Sequence, residues 1–426
     1  MDAWRRARRR SIILMLLMDA ELRLNQQRVA LREQRLIKKR KLWVRPIFMN
    51  RMQQGNWNRL IEEMQLWDCE TFFNNMRMTP QTFSTLLTKV GPKIERQSTN
   101  FRETIPAAAR LALTIRYLAT GDTITSIALS YRIGRSTAVA IIPTVCEAIW
   151  NALEEEMLQP SEEHWLQVSD EFEEKWNFPH CIGALDAKHV VNTFPQHASS
   201  DADNHKSQHN IILMALVSAS YKFLIVDINT QERDSDVDIF GNSQMGQIFY
   251  NSEMNLPEPS PLSEIYSEKM PYCMVADENF DLTEFCLRPY TGRSLREEER
   301  IFNHRLSRAR QVTENAFGVL ASRWRIFGKP MNTSLSTTQK IMKATVCLHN
   351  FLMPHDVYCG QDYVDQIIKT GEVIEGGWRQ YLDGNGAFQD ITVIGVKSYS
   401  RYSAHVRDYF MHYFMEDGAV PWHQIM

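Results

Sequence analysis

Three carboxylates, Asp186, Asp277 and Glu314, are the residues of this sequence best placed to do chemistry together. Two of them close apolar runs: "CIGALD" ends on Asp186 and "YCMVAD" on Asp277. Each run reads as a strand, and in open α/β sheets ligands bind beyond the carboxyl ends of strands. If the two strands are neighbours, the aspartates fall side by side and repel. Only a shared proton or a cation makes that tolerable. A hard divalent cation, Mg²⁺ or Mn²⁺, is the natural partner for such oxygen ligands. Taken singly, a strand-terminal Asp is more often a cap or turn residue; only the set points to chemistry.

The third carboxylate sits on a long amphipathic helix. Its apolar stripe runs Phe302, Leu306, Ala309, Ala316, Phe317, Leu320 and Trp324, spaced three or four apart. Glu314 falls roughly 100° from the centre of that stripe, on its shoulder, within reach of a sheet edge. Arg308, Arg310 and Arg323 share the helix and can meet phosphates. Two Asp and one Glu suit a two-metal site for in-line attack on a phosphodiester, one metal generating hydroxide and the other stabilising the leaving oxygen.

The elements that must position these groups follow from the patterning. Residues 178–355 read as an α/β domain with a mixed sheet: a strand at "HCIGALDAKHVVNTF", two more at 210–221 and 222–229, a short helix at "SDVDIFGNSQMGQIFY", a strand at 272–280, then two long helices. Upstream, residues 51–160 read as helical. Thr79 before Pro80 starts one helix. Pro106 opens another that ends at Gly121, a short one capped by Asp122 or Thr123 runs to about Tyr131, and a third starts near Ser136. Two helices joined by a short Gly-containing turn fit a helix-turn-helix. Arg132, Arg135, Ser136 and Thr137 would then stand at the entry of its recognition helix. A purely structural bundle, in which these residues merely cap a helix, fits the same pattern. Four segments result: a basic arm at 1–50, the helical region at 51–160, the α/β domain at 175–355 and a packing appendage at 356–426.

Composition bounds the class. With 44% hydrophobic and 23% charged residues, the chain is that of a folded globular protein. A formal net charge of −3 hides a basic N-terminal arm, "WRRARRR" and "RLIKKRKLWVRP", set against acidic stretches near 153–175. That layout suits a nucleic-acid partner, although the arm reads equally as a solvated face. The cluster "KKRK" at 38–41 reads as a nuclear-import signal. Seven cysteines without a CxxC pair argue for a reducing, intracellular compartment. No run approaches a membrane span. His205 and His209, four apart, lack a further Cys or His to complete a zinc site.

The run 181–352 resembles the DDE endonuclease domain of PIF/Harbinger transposases and the nucleases derived from them. The resemblance lies in "IGALDAKHV", "VADENF", "FNHRLSRARQVTENAFGVLASRWRIF" and "CLHNFL", and upstream in "ARLALTIRYLATGDTITSIALSYRIGRST". It implies an RNase H-like mixed sheet with flanking helices, preceded by the all-α helix-turn-helix region, and Asp186, Asp277 and Glu314 as the metal triad. It also implies Asp236 as an auxiliary acid, Lys188 and His189 on a phosphate-facing rim, and a separate Myb/SANT-like DNA-binding partner. Ala187 departs from the family's usual Gly beside the first Asp. The expected function is a divalent-metal-dependent DNA endonuclease in the nucleus, acting as an active transposase subunit or a domesticated derivative, with a homodimer as a further expectation. The alternative is a DNA-binding regulatory protein that keeps the fold and no longer cuts. A nuclease acting on RNA shares the triad; the helix-turn-helix leans toward DNA.

Overall fold

In the computed structural model, the described residues are 45–97, 104–157, 160–193, 209–230, 240–355, 357–367, 373–382, 386–391 and 399–421. Residues 1–44 of the basic arm with "KKRK", His205 and Asp236 lie outside them, as does the side chain of His209. By compactness the chain divides into Met1–Met52 and Gln53–Met426. Of the first unit, the described part holds one helical turn, Pro46–Met49. All that follows concerns the second.

Its amino-terminal third is helical. Helix α1, Cys69–Met76, is capped by Asp68, whose carboxylate accepts from the Thr71 amide at 2.9 Å. Helix α2, Pro80–Ile94, starts where Thr79 accepts from the Thr82 amide, with Pro80 in the first turn where its missing N–H costs nothing. Helix α3, Ala107–Thr120, ends at Gly121. Helices α4, Ile124–Ser130, and α5, Arg135–Ala152, follow, with Thr123 capping the former. The expected helix–turn–helix succession is present.

After helix α6, Glu162–Trp176, the chain enters its sheet. Strand β1, Cys181–Asn192, pairs antiparallel with β2, His209–Val217, which pairs antiparallel with β3, Phe223–Thr230. On its other side β1 pairs parallel with β4, Cys273–Val275, and β4 pairs parallel with β5, Cys286–Leu287. The sixth strand, β6, Phe388–Asp390, runs antiparallel to the far half of β1. The sheet is therefore mixed, as expected. The strand at 272–280 is shorter than expected: it stops at Val275, and Asp277 to Phe280 form a turn.

Helix α7, Gln244–Tyr250, covers one end of the sheet. Helix α8, Glu297–Arg323, packs its stripe on the strands, and every apolar residue of the expected stripe is buried. Helix α9, Leu335–Leu352, bridges β3 and α5. Helix α10, Arg401–Met415, lies along α8, with Phe410 and Phe414 against Phe178. The 356–426 segment does more than pack, because β6 extends the central sheet. Among the described residues no helix is long and apolar enough to cross a membrane.

Candidate active site

The register of two parallel strands sets the site. Ala184 of β1 pairs with Val275 of β4, so Asp186 and Asp277 each stand two residues past the last matched pair. They stand at the same level, Asp186 within β1, where it pairs with Ala215, and Asp277 just past the end of β4. The pairing slips between Cys181 and Gly183, where Gly183 takes φ 149° and a Cβ would lie 2.6 Å from the Leu216 side chain. Only glycine fits that bulge, and the bulge fixes which face Asp186 takes.

Asp186, Asp277 and Glu314 all line one pocket of about 250 Å³, together with Lys188, Arg310 and Asp390. Asp186 is 4% exposed. Its Oδ1 accepts from the Ala187 amide at 2.8 Å, while its buried Oδ2 is ion-paired with the Lys188 ammonium 3.1 Å away. Burial pushes the Asp186 carboxyl above the usual carboxylate range; Lys188 and Arg310 offset part of that, and Asp277 adds to it. Asp277 is held by its own turn, accepting from the Asn279 amide and the Asn279 side chain, each at 2.9 Å. Glu314 is partly accessible, with 39% of its side chain exposed. Arg310 lies 3.5 Å from one of its oxygens, Gln311 3.3 Å and Arg379 4.0 Å from the other.

Lys188 lies between two acids, 3.1 Å from Asp186 and 2.6 Å from Asp390, its register partner on β6. Burial pulls its ammonium pKa down, but Asp186 and Asp390 more than offset this and keep it raised. His189 does not share the rim. Successive strand residues point to opposite faces, so Lys188 enters the pocket and His189 leaves from the other side of β1. Alternation along "DAKH" already carried that signal. Similarly, Arg308 and Arg310 lie about 200° apart on α8, and only Arg310 lines the pocket. Arg323 is committed elsewhere, donating to the Tyr358 carbonyl at 2.7 Å and lying over the Tyr363 ring. At the helix-turn-helix, Arg135 and Ser136 are exposed at the start of α5, and Thr137 is half-buried. Arg132 is turned back, its Nε donating to the Gln54 carbonyl at 3.2 Å.

Sequence reading missed Asp365, Arg379 and Asp390. Buried Asp365 grips Arg379 through both oxygens, at 2.6 Å to Nη2 and 3.0 Å to Nε, and also accepts from the Gly376 amide. Arg379 thereby presents its guanidinium to Glu314. No local pattern announces these contacts, which join residues far apart in the chain.

Among the described residues no group of three His, Cys, Asp or Glu is arranged to hold a metal ion as it stands. The donor set nonetheless suits a hard cation. Two neighbouring carboxylates, one of them buried with only the Lys188 ammonium at its second oxygen, are the oxygen ligands such an ion takes.

Residues 185–350 match the sequence profile of the DDE superfamily endonucleases. The resemblance read from the acidic blocks is borne out. Two Arabidopsis thaliana proteins are similar over a longer span. Antagonist of Like Heterochromatin Protein 1 is 22% identical over 255 residues, covering 59% of this chain and 64% of that protein. Protein ALP1-like is 25% identical over 294 residues, covering 67% of this chain and 71% of that protein. The chain thus spans less than two thirds of the first of these. No solved structure matches.

Proposed function

We propose that this protein is a divalent-metal-dependent DNA endonuclease with an RNase H-like sheet, using Asp186, Asp277 and Glu314. The observation that supports this reading is the shared register of β1 and β4, in which mid-strand Asp186 and Asp277, just past the end of β4, stand at the same level. A structural role gives little reason to bury Asp186 beside a second carboxylate that disfavours its charged form. Asp186 and Asp277 would hold the cation, and Glu314, on the facing helix, would complete its oxygen ligands. When bound, the metal supplies water activation and neutralises charge on the phosphate and leaving oxygen.

The chain's own residues set the rest. Arg310 and Lys188 give an acidic pocket two fixed cations, so an incoming phosphate meets positive charge as well as carboxylates. Asn279 keeps Asp277 in one orientation through both its oxygens. Exposed Arg135 and Ser136 would contact the DNA backbone at the amino end of α5. Nuclear residence, a Myb/SANT-like partner and a homodimer accompany this reading.

A second reading, a DNA-binding protein that no longer cuts, has its own support: Lys188, Arg310 and Arg379 already neutralise the acids. The name of one similar protein, Antagonist of Like Heterochromatin Protein 1, suits it too. Calorimetry of Mg²⁺ and Mn²⁺ binding, with and without duplex DNA, separates the two. The nuclease reading expects binding that is lost in both Asp186→Asn and Asp277→Asn, followed by strand cleavage. Absence of metal binding in the wild type, with DNA present, moves the assignment to the second reading.

A further inference from the structure

A second groove, about 550 Å³, opens beside the acidic pocket and shares Lys188, Glu314 and Asp390 with it. Its character is different. Tyr381 and Phe388 offer ring surface to it, backed by buried Phe317 and by Trp378 beneath the Arg379 guanidinium, and Arg325 and Lys329 stand exposed on it. Trp378 is anchored, donating from Nε1 to Asn315 at 3.0 Å, with its ring pressed onto Gly318. A Cβ on Gly318 would lie 2.5 Å from that ring, so the indole reaches its place only because α8 has glycine there. Phe388 is stacked on Phe327 at 4.7 Å. Tyr381 is 47% exposed, with the Arg325 guanidinium 5.7 Å from its ring centre.

We propose that this groove takes one unpaired nucleobase of the DNA strand whose phosphate lies over the acidic pocket. The proposal rests on the nuclease reading above. Every base has a neutral aromatic face that stacks on such rings whatever its sequence, and the face is offered only when the base leaves the duplex. The volume lies within the range of small-ligand sites. Glu314 and Asp390, at the shared end, repel a phosphate but tolerate a neutral base. Arg325 and Lys329 offer cations to the phosphates on either side of it. A groove of pure ring surface would serve any apolar ligand; the basic side chains and the shared wall with the acidic pocket select a nucleotide.

The test is fluorescence anisotropy of the full chain in Ca²⁺ with three probes: a blunt duplex, the same duplex with a short single-stranded 3′ tail, and the tailed duplex with abasic tail positions. The tailed probe is expected to bind roughly tenfold more tightly than the other two, as one stacked base supplies. Tyr381→Ala, at an exposed position, removes that advantage. Equal affinity for all three probes overturns the base site and leaves the nuclease reading standing. Failure to bind any probe overturns both. The abasic comparison needs no substitution, so the outcome does not depend on a variant folding.

Discussion

Lys188 and Asp390 face each other across the junction of β1 and β6, 2.6 Å apart, and the same ammonium lies 3.1 Å from the buried carboxylate of Asp186. One lysine therefore ties the edge of the sheet to its most buried acid. Lys188→Ala leaves Asp186 without its closest cation and is expected to cost about 3 kcal/mol, since breaking one side of a buried pair strands the other charge. Adding Asp186→Asn in the same chain should recover much of the loss. Urea unfolding of the two single variants and the double variant measures the coupling; additive losses would show that the pair does not act as a unit.

Arg379 is held by Asp365 so that it faces Glu314. Its replacement by Lys keeps the charge but not the paired donors, and a point charge cannot satisfy two carboxylate oxygens at once. Arg379→Lys should lower stability by about 2 kcal/mol. Thermal unfolding decides this, and a melting temperature equal to the wild type refutes the clamp.

His349 supplies a pH dependence. It is fully buried on α9, donating from Nε2 to the Tyr221 carbonyl at 2.9 Å, and burial lowers its pKa from 6.5 to about 4. In the unfolded chain the ring takes a proton near pH 6.5, whereas in the folded protein it stays neutral until about 4. The unfolded state therefore binds more protons in that window. The contribution of His349 is complete above pH 6.5 and falls by about 1.4 kcal/mol per unit toward pH 4. His349→Asn should flatten the slope of unfolding free energy between pH 7 and pH 5, as read by urea titrations at each pH; an unchanged slope assigns the acid sensitivity to other groups.

Arg135 tests the helix-turn-helix. Exposed at the first position of α5, it is expected to make one phosphate contact. Arg135→Ala should weaken DNA binding evenly across sequences and reduce the slope of log affinity against log salt by about 1. Arg132, whose Nε is bonded to the Gln54 carbonyl, should matter less. Identical salt slopes for wild type and Arg135→Ala would take α5 out of the DNA interface.

Much of this architecture was legible along the chain because local rules decide it. The caps at Thr79 and Thr123, the stop at Gly121 and the buried stripe of α8 each depend on residues within one or two turns. The level of Asp277 was legible in the same way, although its strand ends earlier than the apolar run. That run stays buried through Ala276, whose amide still donates to the Leu287 carbonyl, and such a buried run looks like a longer strand to any reading of hydrophobicity. The partners of the acids were not legible. Asp365, Arg379 and Asp390 reach the site by folding back over long stretches of chain, and a lone Asp or Arg there looks like any solvated residue. Lys188 and His189 show the reverse case, where the alternation that separates them was present and went unused.

Strand β6 also sets an order of events. Lys188 and Asp390 are 202 residues apart in sequence, and Arg379 too comes after the segment that the family profile covers. A nascent chain that has emerged through α9 already holds all three acids and most of the sheet, yet lacks Asp390 beside Lys188 and the guanidinium beside Glu314. Chains fold from the amino end as they are made, so the acidic centre is finished late in synthesis. A ribosome product interrupted near residue 355 would carry the ligands without the groups that restrain them.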